Sequence, residues 1–220
     1  MDGLLVDSEP LWQEAEIEVF AEIGVPLTRQ DCWETKGHRV DDTVAYWRAK
    51  RGWSGPAPRE VERRLVARVI ELVHERAEPK DGARDAIDFF RARGLRLALA
   101  SSSSPPLIDA VLARLAMAAD FEVVRSAVNE SHGKPHPAVY LSTAAGLGVL
   151  PRECVALEDS LVGVAAARAA GMLCIAVPDS ASGPPGQERR FDESTGADVT
   201  LASLRRIDDE VLRRLASLLP

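Results

Sequence analysis

Cysteine is scarce in this chain. It has three, at positions 32, 154 and 174, odd in number and far apart. Neither a CxxC pair nor Cys/His ligand spacing occurs, which argues against a disulfide framework and a zinc site. This thiol usage fits a reducing, cytoplasmic setting. Long apolar runs are missing as well, so no membrane-crossing helix and no membrane partner are expected. The first residues lack a basic segment followed by an apolar one, unlike a signal peptide. Positive charge is in deficit: 27 basic residues face 34 acidic ones, for a net charge of −7 and a pI near 5.2. A nucleic-acid partner, which would call for a basic stripe, is not expected.

Apolar residues supply 46% of the 220 positions, which rules out disorder for the chain as a whole and is ample for a packed core. Two composition regimes follow each other. Residues 10–78 read as helix almost throughout. Leu11, Ala15, Val19, Phe20 and Ile23 form a stripe that stops at Gly24, and Thr28 with Asp31 is a weaker form of capping box. A third helix is expected over 41–50. The fourth carries Val61, Leu65, Val66, Val69, Ile70 and Val73 at helical spacing, between Pro58 and Pro79.

Beyond it, short apolar runs alternate with helical patterns. Strands are expected at 95–100, 121–124, 154–157 and 173–177, with an edge strand at 199–201. Helices are expected at 81–93, 105–117, 137–147 and 162–170, with an amphipathic one near the end. The stretch 178–197 reads as a surface loop. This alternation predicts an α/β fold, a doubly wound parallel sheet, with an inserted α-helical cap. The division is 1–9 and 79–220 for the α/β core and 10–78 for the cap. Ligands of such sheets bind beyond the carboxyl ends of the strands.

Four segments at those ends carry chemistry. Asp2-Gly3-Leu4-Leu5-Val6-Asp7-Ser8-Glu9 sets two acids around an apolar turn before the first helix; alone, it reads as a capped loop. Ser101 to Ser104 offer hydroxyls and backbone N–H groups at a helix start, an anion site or simple capping. Gly133-Lys134-Pro135-His136-Pro137 fixes the backbone of a lysine, whose ammonium suits phosphate; an isolated loop lysine is the plainer reading. Glu158-Asp159-Ser160 closes an apolar strand with two carboxylates, a costly pair unless matched by a cation, and hard oxygen ligands of this kind suit Mg²⁺.

Taken in order, these motifs resemble the haloacid dehalogenase-like (HAD) superfamily, and within it the β-phosphoglucomutase-like branch with a helical cap. DSEPLWQEAE, KPHPAVYL and CVALEDS look most similar to bacterial sugar phosphatases acting on 2-deoxyglucose 6-phosphate and hexitol phosphates. The resemblance implies a Rossmann-like core and an Mg²⁺-dependent phosphatase that passes through an aspartyl phosphate. It implies Asp2 as the second aspartate of an Asp-x-Asp-Gly motif, the acid–base residue, with its backbone carbonyl on Mg²⁺. It assigns Ser101 and Ser102 to the phosphoryl group, Lys134 to charge neutralisation, Asp159 to the metal and Glu158 to a second metal contact. Glu9, Trp12, Lys36, His38 and Arg39 lie in segments that face the site in relatives.

One departure stands out. The motif's nucleophilic aspartate belongs immediately before Met1, and the first core strand that leads to it is missing. The expectation is that the natural protein starts earlier and that the chain as written is inactive. Trp12 stands where the mutase pattern has a histidine, which favours hydrolysis over a phosphosugar mutase, the alternative within the branch. Asp2 argues against dehalogenation. From other classes, a receiver-like domain would lack the helical insertion, and an inactive binding protein is the reading if Met1 is the true start. The expected partner is a small phosphorylated sugar or polyol, and the expected state a monomer.

Overall fold

The computed structural model describes residues 1–36, 38–178 and 196–218. Four helices fill the stretch between Ser8 and Pro79: α1 (Glu9–Glu22), α2 (Arg29–Cys32), α3 (Val40–Arg51) and α4 (Pro58–Arg76). The apolar stripe of α1 is buried as its spacing demands, and Gly24, at φ +79°, ends the run. The α2 capping box forms in full: Asp31 N–H reaches Thr28 Oγ1 at 3.2 Å, and Thr28 N–H reaches Asp31 Oδ2 at 2.8 Å. Val61, Leu65, Val69, Leu72 and Val73 of α4 are wholly buried. Phe20 meets Trp47 and Trp53 edge-on, with centroids 6.4 and 6.1 Å away, so aromatic packing closes the bundle.

The remainder is α/β. It runs α5 (Ala83–Ala92), β1 (Ala98–Ser101), α6 (Pro105–Arg114), β2 (Val123–Ser126), α7 (Ala138–Leu147), β3 (Val155–Glu158), α8 (Leu161–Ala169), β4 (Leu173–Ala176), β5 (Val199–Thr200) and α9 (Asp209–Ala216). Every strand pairing is parallel: β1 with β2, β3 with β4, and β4 with β5. Two strands start later than the apolar runs suggest. Leu95 N–H closes the end of α5 on Phe90 O at 3.1 Å, so the backbone is committed to the helix before β1 begins. Phe121 likewise follows a 3₁₀ turn at Ala118–Asp120. The surface-loop expectation for 178–197 falls almost wholly outside the described residues.

The sheet is in two parts, β1–β2 and β3–β4–β5, and no described strand joins them. Residues of β1 and β3 instead line one cavity of about 460 Å³, walled by Leu97, Leu99, Ala156, Leu157, Phe90 and Tyr140. The first eight residues turn tightly, with Leu5 N–H on Met1 O at 2.7 Å. Val6 then bridges Pro79, so the chain enters and leaves the helical insertion side by side. The packing of α4 on α6 adds a second contact between insertion and core. No described helix is long and apolar enough to cross a membrane.

Candidate active site

The carboxyl ends of β1 and β3 and the turn at residues 1–8 converge on a cavity of about 710 Å³ under the helical insertion. All six expected site residues, Asp2, Ser101, Ser102, Lys134, Glu158 and Asp159, line it. From the insertion, Glu9, Trp12, Lys36, His38 and Arg39 line the same space, joined by Glu16 and Thr35.

Asp2 is held at both oxygens. Ser8 Oγ donates to Oδ1 at 2.5 Å and Ser103 Oγ donates to Oδ2 at 2.8 Å. Ser103 is itself fixed: its N–H donates to Ser101 Oγ at 3.1 Å, and its carbonyl accepts from Ser126 Oγ at 2.6 Å. Of the serine run, Ser101 is buried, Ser102 is exposed, and the buried Ser104 hydroxyl has no hydrogen-bond partner. Ser103 enters the sequence reading only as part of the serine run, and Ser126 not at all; neither is tied there to Asp2. Ser8 reads there as a helix cap, and only the fold brings it to an aspartate six residues earlier.

Lys134 reaches inward. Its ammonium lies 2.6 Å from Glu158 Oε1 and 3.4 Å from both Ala100 O and Tyr140 Oη. Tyr140 also donates to Glu158 Oε1, and Ser160 Oγ lies 3.4 Å from Oε2. Burial pushes the Glu158 pKa up, but the Lys134 charge, with Lys134 and Tyr140 as donors, outweighs it and holds the carboxyl below the usual range. Burial and the Glu158 charge push the Tyr140 phenol well above its ordinary value, so it remains a donor. The Glu158 carboxylate, expected as a second metal contact, here meets Lys134, Tyr140 and Ser160. Among the described residues no three His, Cys, Asp or Glu side chains are arranged to hold a metal ion. Gly163 makes room for the cluster, since a Cβ there would lie 1.9 Å from Glu158 Oε2.

Asp159 is different. It is half-buried, no hydrogen bond holds it, and its Oδ2 presses on Gly3, where a Cβ would lie at 2.2 Å. Burial first, then the Glu158 charge, push its pKa up to about 7; Asp2 raises it further, while the Met1 ammonium and Lys134 pull it down. Burial and two neighbouring carboxylates outweigh these cations, and a divalent cation would offset them. The Asp159 carboxylate with the Asp2 backbone carbonyl fits a hard cation with oxygen ligands.

The model of the haloacid dehalogenase-like hydrolases matches residues 1–171. Hexitol phosphatase B of Escherichia coli K12 is 43% identical over 209 residues, covering 94% of this chain and 91% of that protein. The phosphorylated carbohydrates phosphatase of Thermotoga maritima is 29% identical over 172 residues, covering 78% and 79% of the two chains. Among solved structures, CbbY of Rhodobacter sphaeroides in complex with phosphate superimposes with a TM-score of 0.82 at 28% identity, covering 94% of this chain and 92% of that one. The chain belongs to the haloacid dehalogenase-like hydrolases.

Proposed function

We propose that this chain carries the binding and acid–base machinery of an Mg²⁺-dependent phosphomonoester hydrolase for a small sugar or polyol phosphate, one that works through an aspartyl-phosphate intermediate. The observation that carries the reading is the meeting of Asp2, Ser101, Lys134 and Asp159 at one cavity beneath the helical insertion. The likeness to hexitol phosphatase B supports the substrate class. Asp159 would hold Mg²⁺ with its carboxylate and Asp2 with its backbone carbonyl, leaving the Asp2 carboxyl for proton transfer. When bound, the ion neutralises charge on the phosphoryl oxygens.

The other parts follow from the side chains. Ser101 and Ser102 receive the phosphoryl group and Lys134 offsets its charge, with Glu158 and Tyr140 setting the position of the ammonium. By the family's pattern the nucleophile is the first aspartate of the Asp-x-Asp-Gly motif, of which Asp2 matches the second. Its attack on phosphorus breaks the ester P–O bond, and Asp2 gives its proton to the departing alkoxide. Asp2 then takes a proton from the water that attacks phosphorus, releasing phosphate and the nucleophile. Ser8 and Ser103 keep Asp2 aimed through both transfers. The insertion screens the reaction from bulk water.

Phosphate release from a hexitol phosphate with Mg²⁺ tests this. It is measured for the chain as it stands and for a version extended ahead of Met1 by an apolar strand ending in Asp. Turnover is expected in the extended version alone, falling by about 10²–10⁴-fold with Asp2→Asn. Equal turnover in both would overturn the nucleophile, and none in either would overturn the phosphatase reading.

A further inference from the structure

Glu16 lines the cavity, yet the reaction proposed above gives it no part. It follows Glu9 and Trp12 at helical spacing on α1, and all three line the space. Its side chain is buried, 7% exposed, among the buried Leu11, Gln13, Ala15, Val19 and Phe20 of the same helix. Thr35 Oγ1, itself buried, pins Oε2 at 3.3 Å. Among the described residues no second hydrogen bond of normal geometry reaches the carboxyl, with the Cys32 thiol and the Trp47 indole lying beside it. Beneath it, the indole N–H of Trp47 is buried and finds no hydrogen-bond partner. A buried carboxyl whose one hydrogen bond of normal geometry is 3.3 Å long is costly in a purely structural role. It gains if a ligand hydroxyl completes it.

We infer that Glu16 is a specificity-determining residue, its second carboxyl oxygen receiving a hydroxyl of the polyol body while the phosphoryl group sits on the core side. This deepens the reading above and rests on it. The distinction between the two ends of the cavity is chemical. Lys134 and the serines face an anion, whereas a carboxyl pinned by Thr35 suits a neutral hydroxyl. Burial and the Glu9 charge push the Glu16 pKa up to about 7, and Thr35, Cys32 and Trp47 draw it back, so both of its protonation states offer a hydroxyl a partner near neutral pH.

The test is calorimetric binding of a hexitol phosphate and, separately, of inorganic phosphate in the presence of Mg²⁺, to the chain and to Glu16→Gln and Thr35→Val. Glu16→Gln is expected to weaken the hexitol phosphate by about tenfold or more, and Thr35→Val, which unpins the carboxyl, by about threefold. Inorganic phosphate is expected to bind all three proteins alike. If both ligands weaken together, or neither does, the specificity role is overturned while the phosphatase reading stands. If the unmodified chain binds neither ligand, that reading fails and the role of Glu16 falls with it.

Discussion

Lys134 and Glu158 face each other in a nearly dry environment, the carboxylate 3% exposed and the ammonium 2.6 Å away. Removing one partner strands the other, a loss of about 3–5 kcal/mol. Lys134→Ala is therefore expected to lower the urea midpoint sharply, and Lys134→Met with Glu158→Gln to regain more than half of it. Equal losses in both would show that the pair is not the cause. Because the Glu158 pKa is depressed in the fold, this stabilisation is complete above the ordinary carboxylate range and fades as pH falls through the depressed value. Glu16 has the opposite sign. Its pKa is raised to about 7, so the folded chain is most stable with the group neutral and loses stability as pH rises from the ordinary range toward 7. Glu16→Gln is expected to match the parent near pH 4 and exceed it at pH 8 by on the order of 2 kcal/mol in denaturant melts. The residues proposed to meet phosphate were legible because their types are unusual at strand ends. Ser8, Ser103, Tyr140 and Glu16 were not, since each acts through a neighbour that only the fold supplies.

Helices were easier to read than strands. A stripe such as Val61, Leu65, Val69 and Val73 repeats over several turns, and the Thr28–Asp31 box marks a start by local chemistry alone. Four-residue strands leave little periodicity, and their ends depend on which backbone groups a neighbouring helix has already engaged, as Leu95 shows. The break between β1 and β3 is a matter of pairing, which no run of residues encodes by itself. Gly163 shows an element adjusted to a side chain across from it. Alanine raises helix propensity by about 1 kcal/mol, but here its Cβ would overlap Glu158 Oε2. Glu158 is tied to Lys134 and Tyr140 and has nowhere to retreat, so the clash outweighs propensity, at about 1–3 kcal/mol or more. Gly163→Ala is expected to lower the melting temperature, and a rise would show that the cluster yields freely.

Over the whole molecule, helical spacing gives way to alternating strand and helix where α4 ends and the α/β elements begin. The Val6–Pro79 bridge then sets the two crossings side by side. Arg205 links the turn before α9 to Asp81 and Asp85, and Arg93 reaches Asp209. These pairs are largely exposed, and water and salt screen them. Arg205→Ala is expected to shift unfolding free energy by less than about 1 kcal/mol, which a urea titration would check. A different link matters more. Ser8 stands at the N-cap of α1, yet its hydroxyl makes no bond to the helix and goes to Asp2. The proposed proton carrier is thus geared to the first helix of the insertion. A tilt of α1 that drew Ser8 away by about 1 Å would break a 2.5 Å bond and let the carboxylate drift. Water arriving while the roof is tilted would meet an acid out of aim, so one hydroxyl would act as a safety catch against idle hydrolysis.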